Sequence, residues 1–342
     1  MAFSNDQTNI TSFVFYRMPF ENKAFALFPD AVVQVKDLSE WDFDKEGFLL
    51  APFSPSKGTP TLFFSGKADP MPLQAPVHSS FFQTIVFNEN REEYTRLFHR
   101  FHDFITQGYV SKIVLARSIA FAAPTFSANH FFQTLAAAYP KAFVFTMQCP
   151  DGDIWFGATP ETLLRGNDNE WHTAAIAGTM PHSPKSKDPL QWEEKDREEH
   201  TCVADFIDRT LGNFNLKTQR SSLKVVSAGS VDHLHTAFST HGPMTTGPLL
   251  TALHPTPAVC GFPVAKARNL ILTHERLDRK YYSGFLGPVC KNEKAFFVNI
   301  RSGYYKDETV TLFAGGGIMK DSVEYREWQE THWKLQTLTK FF

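Results

Sequence analysis

Two predicted helices of the chain each carry a pair of acidic residues spaced by three. In the first helix, from about Lys195 to Leu211, Glu199 lies in line with the apolar residues of one face, and Asp196 lies one turn earlier on the same side. The C-terminal helix repeats the pattern with Glu327 and Glu330. A carboxylate on an apolar helix face needs a cationic partner, because burying an unpaired charge is costly.

Mg²⁺ is the cation that suits these carboxylates best. Oxygen-only ligation without His or Cys favours a hard ion, and Mg²⁺ uses few protein carboxylates while leaving positions for water and substrate. The alternative is a pair of solvated acidic faces with helical ion pairs, such as Glu330 with Lys334. Spacing leaves both interpretations open.

Two glycine segments can bring bare backbone N–H groups close to an anion. The run Gly315 to Gly317 is predicted to close a hairpin, and Gly178 with Thr179 is predicted to end another strand. Arg301 falls near the start of the glycine run in the predicted hairpin register, where a guanidinium can bind a carboxylate through two hydrogen bonds. Glycines at strand ends also form turns and bulges, so this pattern is open too. The glycine segments match neither a phosphate-binding loop nor a dinucleotide fingerprint.

Lys112 and Glu161 are the third set of candidate residues. Lys112 begins a strand-like segment, and Glu161 follows the stretch Gly157 to Pro160. By spacing alone both are ordinary, and exposure is their default state because Lys and Glu are rarely buried.

The elements that must position these side chains mix strands with helices. A helix is predicted from Asn90, with Glu93 in capping-box position and Gly108 at its end. Further strands are predicted at 112–121, 142–148, 154–157, 224–228, 295–304 and 309–314, and helices at 195–211, 264–274 and 323–339. These elements predict an α+β fold with large, mainly antiparallel sheets and helices packed outside. Residues 1–88 are predicted to be a strand-rich N-terminal part, and residues 89–342 the catalytic domain.

Charge and composition narrow the class of partner. The 34 Lys and Arg residues nearly balance the 36 Asp and Glu residues, which removes the electrostatic argument for a nucleic acid or an anionic membrane. A small-molecule substrate is therefore expected. The four cysteines are far apart and form no zinc or disulfide motif, and no leader-like start or membrane-length apolar run occurs. We expect a cytoplasmic protein.

Short motifs between residues 112 and 331 resemble, in identity and order, those of the chorismate-utilising enzymes. They are KIVLAR at 112–117, GATPE at 157–161, AGT at 177–179, KDREEH at 195–200, LHPTPAV at 253–259, GFP at 261–263, YSG at 282–284, IRS at 300–302, AGGGI at 314–318 and EWQET at 327–331. The resemblance covers roughly residues 109–340. One departure is Gly316, where the family usually has Ala.

The resemblance implies chorismate as substrate and Mg²⁺ as cofactor. In the family, glutamates that match Glu199 and Glu330 hold the metal, which binds the ring carboxylate, and Asp196 and Glu327 match nearby acidic positions. The residues that the resemblance assigns to substrate binding are Gly178, Thr179, His233, Ala258, Tyr282, Arg301, Gly315, Gly317 and Lys334. Taken alone, His233 equally fits a hydrogen-bonded core histidine.

The residue at position 112 separates the branches of the family. Ammonia-using members resemble one another in a non-basic residue, often Gln, where this chain has Lys112. Water needs a general base at neutral pH, which a desolvated lysine amine can supply, while protonated Glu161 would donate a proton to the departing C4 hydroxyl. The resemblance thus implies the isochorismate synthase branch: an isomerase that converts chorismate reversibly to isochorismate, as a monomer without a glutaminase subunit.

Three alternatives remain open at this point. A salicylate synthase would share Lys112 and the glutamates and would go on to eliminate pyruvate. An inactive chorismate-binding homologue and the synthase subunit of an amidotransferase complex are the others. The branch does not decide between menaquinone and siderophore biosynthesis, since both consume isochorismate.

Overall fold

The fold was analysed in a computed structural model that describes residues 12–74, 89–167, 169–228 and 231–342. The first elements are β1 (Phe13–Arg17), β2 (Ala24–Leu27), β3 (Ala31–Val35), β4 (Gly47–Ala51), β5 (Thr61–Ser65), β6 (Asp69–Met71), α1 (Arg91–Thr106), β7 (Lys112–Ala122) and α2 (Ala128–Ala138). Next come β8 (Phe143–Gln148), β9 (Ile154–Thr159), β10 (Thr162–Asn167), β11 (Glu170–Pro181), α3 (Glu194–Gly212), β12 (Lys217–Arg220), β13 (Lys224–Ala228) and β14 (Val231–His241). The last are α4 (Thr246–Leu253), β15 (Gly261–Phe262), α5 (Val264–His274), β16 (Phe285–Val289), β17 (Lys294–Val298), β18 (Ser302–Lys306), β19 (Thr309–Ile318) and α6 (Glu324–Thr339).

In the described part of the chain, the strands form two large antiparallel sheets. The nine-stranded sheet has the order β15-β7-β19-β18-β9-β8-β1-β2-β6. The ten-stranded sheet has the order β12-β14-β11-β10-β17-β16-β4-β5-β3, with β13 pairing with β14. The predicted α+β fold with large antiparallel sheets is confirmed.

Aromatic residues fill the space between the two sheets. Phe143 of β8 and Phe297 of β17 belong to different sheets, and their rings stack with centroids 4.1 Å apart. Phe48, Phe145 and Trp155 belong to the same fully buried cluster. This aromatic core holds the sheets face to face, because each ring removes a large apolar area from water.

The helices pack on the outer faces of the sheets, as predicted. Helix α3 buries Val203 and Ile207 against Trp171 and its neighbours in the ten-stranded sheet. Helices α2 and α6 pack on the nine-stranded sheet, and α1 and α5 pack around the start of β7. No helix within the described segments is both long and apolar enough to cross a membrane.

Several local predictions are confirmed. The side chain of Asn90 caps α1 by accepting a hydrogen bond from the N–H of Glu93 at 3.0 Å, and Gly108 follows the helix in the left-handed region with φ +73°. Helix α5 has the predicted bounds, α3 is one residue longer than predicted at each end, and α6 begins one residue later than predicted.

The predicted hairpin at 295–314 is wrong in its first strand. The segment 295–304 forms two strands, β17 in one sheet and β18 in the other, and Arg301 lies between them with φ +52°. The hairpin that exists joins β18 to β19. Alternating hydrophobicity could not reveal this break, because both halves are buried strands.

The glycine segments also lie differently from the prediction. Gly315 to Gly317 do not close a hairpin but lie inside β19, where they pair with Leu115 and its neighbours in β7. Gly178 does not end a strand, since β11 continues to Pro181 with a register shift between Ala177 and Met180. Such a bulge redirects the backbone without ending the sheet.

The N-terminal strands take part in both sheets. Strands β1, β2 and β6 extend the nine-stranded sheet, and β3, β4 and β5 extend the ten-stranded sheet. Residues 1–11 and 75–88 of the predicted N-terminal part lie outside the described residues. The division at residue 88 stays a prediction.

Candidate active site

A cavity with about 660 Å³ of empty space, including space open to solvent, lies where β7 and β19 of one sheet and β11 and β14 of the other approach helices α3 and α6. The predicted residues that line it are Glu161, Gly178, Thr179, Glu199, His233, Ala258, Tyr282, Arg301, Gly315, Gly317 and Lys334. The fold therefore brings together residues from most of the motifs.

The other predicted residues lie just behind this wall. Lys112 contacts Glu199, and Glu330 contacts Lys334. A Cβ atom placed on Gly178 would lie 3.2 Å from Cβ of Asp196. Glu327 is buried and pairs with Lys195, which the sequence interpretation did not assign a role.

Lys112 and Glu199 form a buried ion pair beside the cavity. Nζ of Lys112, at the start of β7, lies 2.8 Å from Oε1 of Glu199 on α3, and the lysine side chain is fully buried. Burial alone would raise the pKa of Glu199, but Lys112 and Lys195 outweigh it and lower the pKa to about 2. Glu199 is therefore ionised throughout the physiological range, and the amine of Lys112 is engaged rather than free.

Glu161 has the opposite electrostatic character. It lies in the turn between β9 and β10, where its carbonyl accepts a hydrogen bond from the N–H of Val298 at 2.9 Å. Burial raises the pKa of Glu161 to about 7, although Lys112 and Lys334 act in the other direction. A carboxyl group that holds its proton near neutral pH is suited to general-acid chemistry.

The carboxylates on α3 and α6 are electrostatically linked to one another. Burial and then the charge of Glu199 raise the pKa of Asp196 to about 7. Burial and then the charge of Glu330 raise the pKa of Glu327 to about 7. Four acidic groups thus share a region where further positive charge would be stabilising, and their oxygen donors are those Mg²⁺ prefers.

Lysines occupy the nearest positions around these carboxylates. Lys195 pairs with Glu327, and Lys334 lies 2.5 Å from Glu330. Among the described residues, no three carboxylate, imidazole or thiol groups converge as a ready metal centre. The chemistry of the donors fits Mg²⁺, but binding has to compete with these lysine contacts.

His233 and Arg301 form a second buried polar pair. Nδ1 of His233 lies 2.8 Å from the carbonyl oxygen of Gly178, and Nε2 lies 3.2 Å from Nη2 of Arg301. Since the carbonyl can only accept and Arg301 can only donate, the proton of the imidazole belongs on Nδ1. Burial and then the charge of Arg301 lower the pKa of His233 to about 3, so the ring is neutral.

Arg301 has spare donors for an anion. Its Nη1 is buried without a hydrogen-bond partner in the described structure, and the residue lines the cavity. Burial lowers the pKa of Arg301 to about 10, which leaves it charged at neutral pH. A buried guanidinium with an unused donor is a natural site for a carboxylate.

The glycines of β19 make room for the polar groups around them. A Cβ atom on Gly317 would lie 2.3 Å from Oε1 of Glu199 and 2.8 Å from Cε of Lys112. One on Gly315 would lie 3.1 Å from Oη of Tyr282. The carbonyl of Gly315 also accepts a hydrogen bond from Nζ of Lys334 at 2.7 Å. The glycine run therefore lets the Lys112–Glu199 pair approach the strand.

Comparisons with known proteins identify the family of the chain. The sequence profile of the family described as chorismate binding enzyme matches residues 70–342. Isochorismate synthase EntC of Escherichia coli (strain K12) is 31% identical over 245 residues, which make up 68% of this chain and 62% of EntC. Isochorismate synthase MenF of the same strain is 30% identical over 235 residues, or 66% of this chain and 54% of MenF.

The chain belongs to the chorismate binding enzyme family.

A solved structure extends the likeness in fold to nearly the whole chain. The structure described as a putative 2,3-dihydroxybenzoate-specific isochorismate synthase, DhbC, from Bacillus anthracis superposes with a TM-score of 0.81 at 22% identity. It covers 98% of this chain and 97% of that one. Strands β1 to β5, which precede the profile match, are thus part of the fold of this chorismate binding enzyme.

Sequence reasoning missed the apolar wall of the cavity. Val114, Ile176, Ile300 and Phe313 line it beside the polar groups. Val114 lies two residues after Lys112 in β7, and Ile176 lies two residues before Gly178 in β11. The period of two that places alternate strand residues on one face was the available signal.

The space around Gly316 is large enough for a small side chain. A Cβ atom there would lie 3.5 Å from Oε2 of Glu327 and 3.8 Å from Oε1 of Glu330. These are ordinary van der Waals distances, so the site has room for the Ala that the family usually carries.

Proposed function

We propose that this protein is an isochorismate synthase that converts chorismate reversibly to isochorismate. The observation that carries the proposal is the buried lysine at position 112, paired at 2.8 Å with Glu199 beside the cavity. The ammonia-using branch of the family, which this chain resembles less, carries a non-basic residue at the position of Lys112. The names of the relatives EntC and MenF agree with this branch.

The reaction needs one base and one acid. Water adds at C2 of the ring and loses a proton to the amine of Lys112. The ring double bond shifts, and the C4 hydroxyl leaves with a proton from Glu161. The raised pKa of Glu161, about 7, supports its role as the acid.

Lys112 has to leave its ion pair before it can act as a base. The lysine enters the site as a partner of the ionised Glu199, and an ammonium has no lone pair to accept a proton. Loss of the extra proton of Lys112 to solvent, together with its release from Glu199, is therefore part of the proposed cycle. Gly317 leaves space for both side chains, because a Cβ atom at that position would collide with each of them.

Mg²⁺ would be held by Glu199 and Glu330, with Asp196 and Glu327 nearby. When bound, the ion would neutralise the ring carboxylate of the substrate and the repulsion among these acidic groups. Gly178 and Thr179 would contact the ring carboxylate from β11.

The enolpyruvyl side of the substrate would contact Arg301, Tyr282, Lys334 and the strand from Gly315 to Gly317. The unused Nη1 of Arg301 supports a carboxylate at this end. His233 orients Arg301 by accepting its hydrogen bond, and Ala258 contributes to the wall near the ring.

No glutaminase partner is required by this chemistry, because the nucleophile is water. We propose a protein that acts without a second subunit, in the cytoplasm. Its product would serve either menaquinone or siderophore biosynthesis, as the site handles the same molecule in both.

The test is product analysis by chromatography after incubation of the purified protein with chorismate and Mg²⁺. We expect isochorismate at an equilibrium reached from either side, without pyruvate. Stoichiometric pyruvate with fluorescent salicylate would instead identify a salicylate synthase. An absence of turnover would instead support the alternative of an inactive chorismate-binding homologue.

A further inference from the structure

Asp232 lies at the centre of a polar cluster outside the cavity. This residue of β14 has a fully buried side chain and precedes His233. Its Oδ2 accepts a hydrogen bond from the hydroxyl of Ser186, and its Oδ1 lies 3.0 Å from Nδ1 of His182 and 3.3 Å from Nζ of Lys187. Burial raises the pKa of Asp232, but hydrogen bonds led by that of Ser186 outweigh it and lower the pKa to about 2. The carboxylate is permanently ionised and well satisfied.

Ser186, His182 and Lys187, which contact Asp232, all belong to the segment 182–193. Lys187 also donates a hydrogen bond to the hydroxyl of Ser227 in β13. This segment joins β11 to α3 and contains only two short 3₁₀ turns, Lys185–Lys187 and Pro189–Gln191. Ser186 is the contact that matters, because its side chain is buried, whereas those of Lys187 and His182 are about half exposed. Exposed ion pairs contribute little to stability.

Through Trp192, the same segment contacts Gly178 in the wall of the cavity. The indole Nε1 of Trp192 donates a hydrogen bond to the carbonyl of Ser186 at 3.0 Å, and the indole is almost fully buried. Its Cζ3 lies 3.4 Å from the position of a Cβ atom on Gly178. Ser186 thus connects the carboxylate of Asp232 to the ring that packs on Gly178.

Two neighbouring residues of β14 support Gly178, one through a direct contact and one through intermediate side chains. His233 contacts the carbonyl of Gly178 directly, at 2.8 Å. Asp232 reaches Gly178 through Ser186 and Trp192. Gly178 lies at the register shift of β11 with φ +73°, a conformation that glycine adopts readily, so these contacts set the position of the bulge rather than relieve strain.

We propose that Asp232 is a positioning residue that anchors the segment 182–193 and thereby sets the affinity of the Gly178–Thr179 bulge for the substrate carboxylate. This inference rests on the proposed function for the identity of the substrate. It makes Asp232 a determinant of substrate binding, although it does not line the cavity.

The kinetic test compares Asp232→Asn and Ser186→Ala with the wild type. We expect KM for chorismate to rise by a factor on the order of 10 in each, the usual worth of a charged hydrogen bond, with kcat changed less than about twofold. The double variant should cost less than the sum of the two single changes, since both single changes remove the same Ser186–Asp232 hydrogen bond. Asp205→Asn, which removes the same charge from an exposed position of α3, should leave both constants unchanged.

Trypsin cleavage tests the anchor without using activity. Lys185 and Lys187 lie inside the segment, so mass spectrometry can locate cleavage there. We expect cleavage to accelerate at least several-fold in both variants and not in Asp205→Asn. Ser186→Ala removes only a hydroxyl group, so it keeps the test valid if Asp232→Asn fails to fold.

The outcomes distinguish a failure of the positioning role of Asp232 from a failure of the proposed isochorismate synthase function. Faster cleavage with unchanged KM, or a fall in kcat with unchanged KM, would overturn the positioning role. Unchanged cleavage in both variants would show that the contact does not anchor the segment. A wild-type protein that does not convert chorismate would count against the proposed function, and calorimetric titration of chorismate into the same variants would then decide the effect on affinity.

Discussion

The ammonium group of Lys112 lies 2.8 Å from a carboxylate oxygen of Glu199, with no part of the lysine side chain exposed to solvent. The same glutamate is the proposed Mg²⁺ ligand on α3. The proposed base and the proposed metal site therefore share one carboxylate, which couples proton transfer to metal binding.

Replacing Lys112 by Gln should remove the general base and lower isochorismate formation by a factor on the order of 100 to 10,000. Chorismate binding should survive, because the proposed carboxylate contacts come from other residues. Turnover is measured by chromatography and affinity by calorimetry. Lys306→Gln, at a half-exposed position, is the control and should behave as the wild type. Near-normal turnover by Lys112→Gln would remove the base assignment.

Replacing Glu161 by Gln should abolish proton donation and also change the pH dependence of stability. Because the pKa of Glu161 rises from 4.5 to about 7 on folding, the folded state holds its proton more tightly than the unfolded state. The stability from this group is present below about pH 4.5 and is lost as pH rises through about 7.

At pH 8 the Gln variant should therefore be more stable than the wild type, by up to about 2–3 kcal/mol. At pH 5 the difference should shrink. Denaturant unfolding at both pH values measures this, with Glu40→Gln at an exposed position as the control. Equal stability differences at pH 5 and pH 8 would argue against a protonated Glu161.

Gly317→Ala and Gly316→Ala form a matched pair of substitutions in β19. The first puts a methyl group 2.3 Å from Oε1 of Glu199 and should push the Lys112 pair apart, with a loss of turnover on the order of 100-fold. The second meets only ordinary contacts at 3.5 Å or more and should keep near-normal turnover. Steady-state kinetics and melting temperatures of both proteins test this, and equal activities would contradict the packing seen around Gly317.

Removal of divalent metal with EDTA should abolish turnover, and Mg²⁺ should restore it. Glu330→Ala and Glu199→Ala should each prevent this restoration and weaken Mg²⁺ binding in calorimetry, because each removes a proposed ligand. Glu198→Ala is the control, since this exposed residue adjoins Glu199 on the same helix. Full activity in metal-free buffer would refute the metal site.

Glu199→Ala needs a stability measurement beside its activity, because it leaves Lys112 buried without its partner. Breaking one half of a buried ion pair costs on the order of 3–5 kcal/mol. Glu330→Ala is the cleaner variant, since its partner Lys334 also bonds the carbonyl of Gly315.

Local sequence signals predicted the elements whose causes are local. The Asn90 cap and the apolar stripe of α1 lie within one helix, so neighbouring residues suffice to define them. The order of the motifs likewise predicted the family, which the profile match over residues 70–342 confirms. The chemical types of Lys112, Glu161 and the acidic pairs were visible before any folding was considered.

The tertiary structure decided which of these groups meet and in what charge state. Nothing in the spacing of Lys195 predicts its contact with Glu327, 132 positions away, or the packing of Lys112 against Glu199. The break at Arg301 and the bulge at Gly178 were also hidden, because each depends on strands that pair across distant parts of the chain. Sequence determines the side-chain chemistry, but burial and neighbouring charges, which only the packed sheets and helices create, make Glu161 an acid and Glu199 a permanent anion.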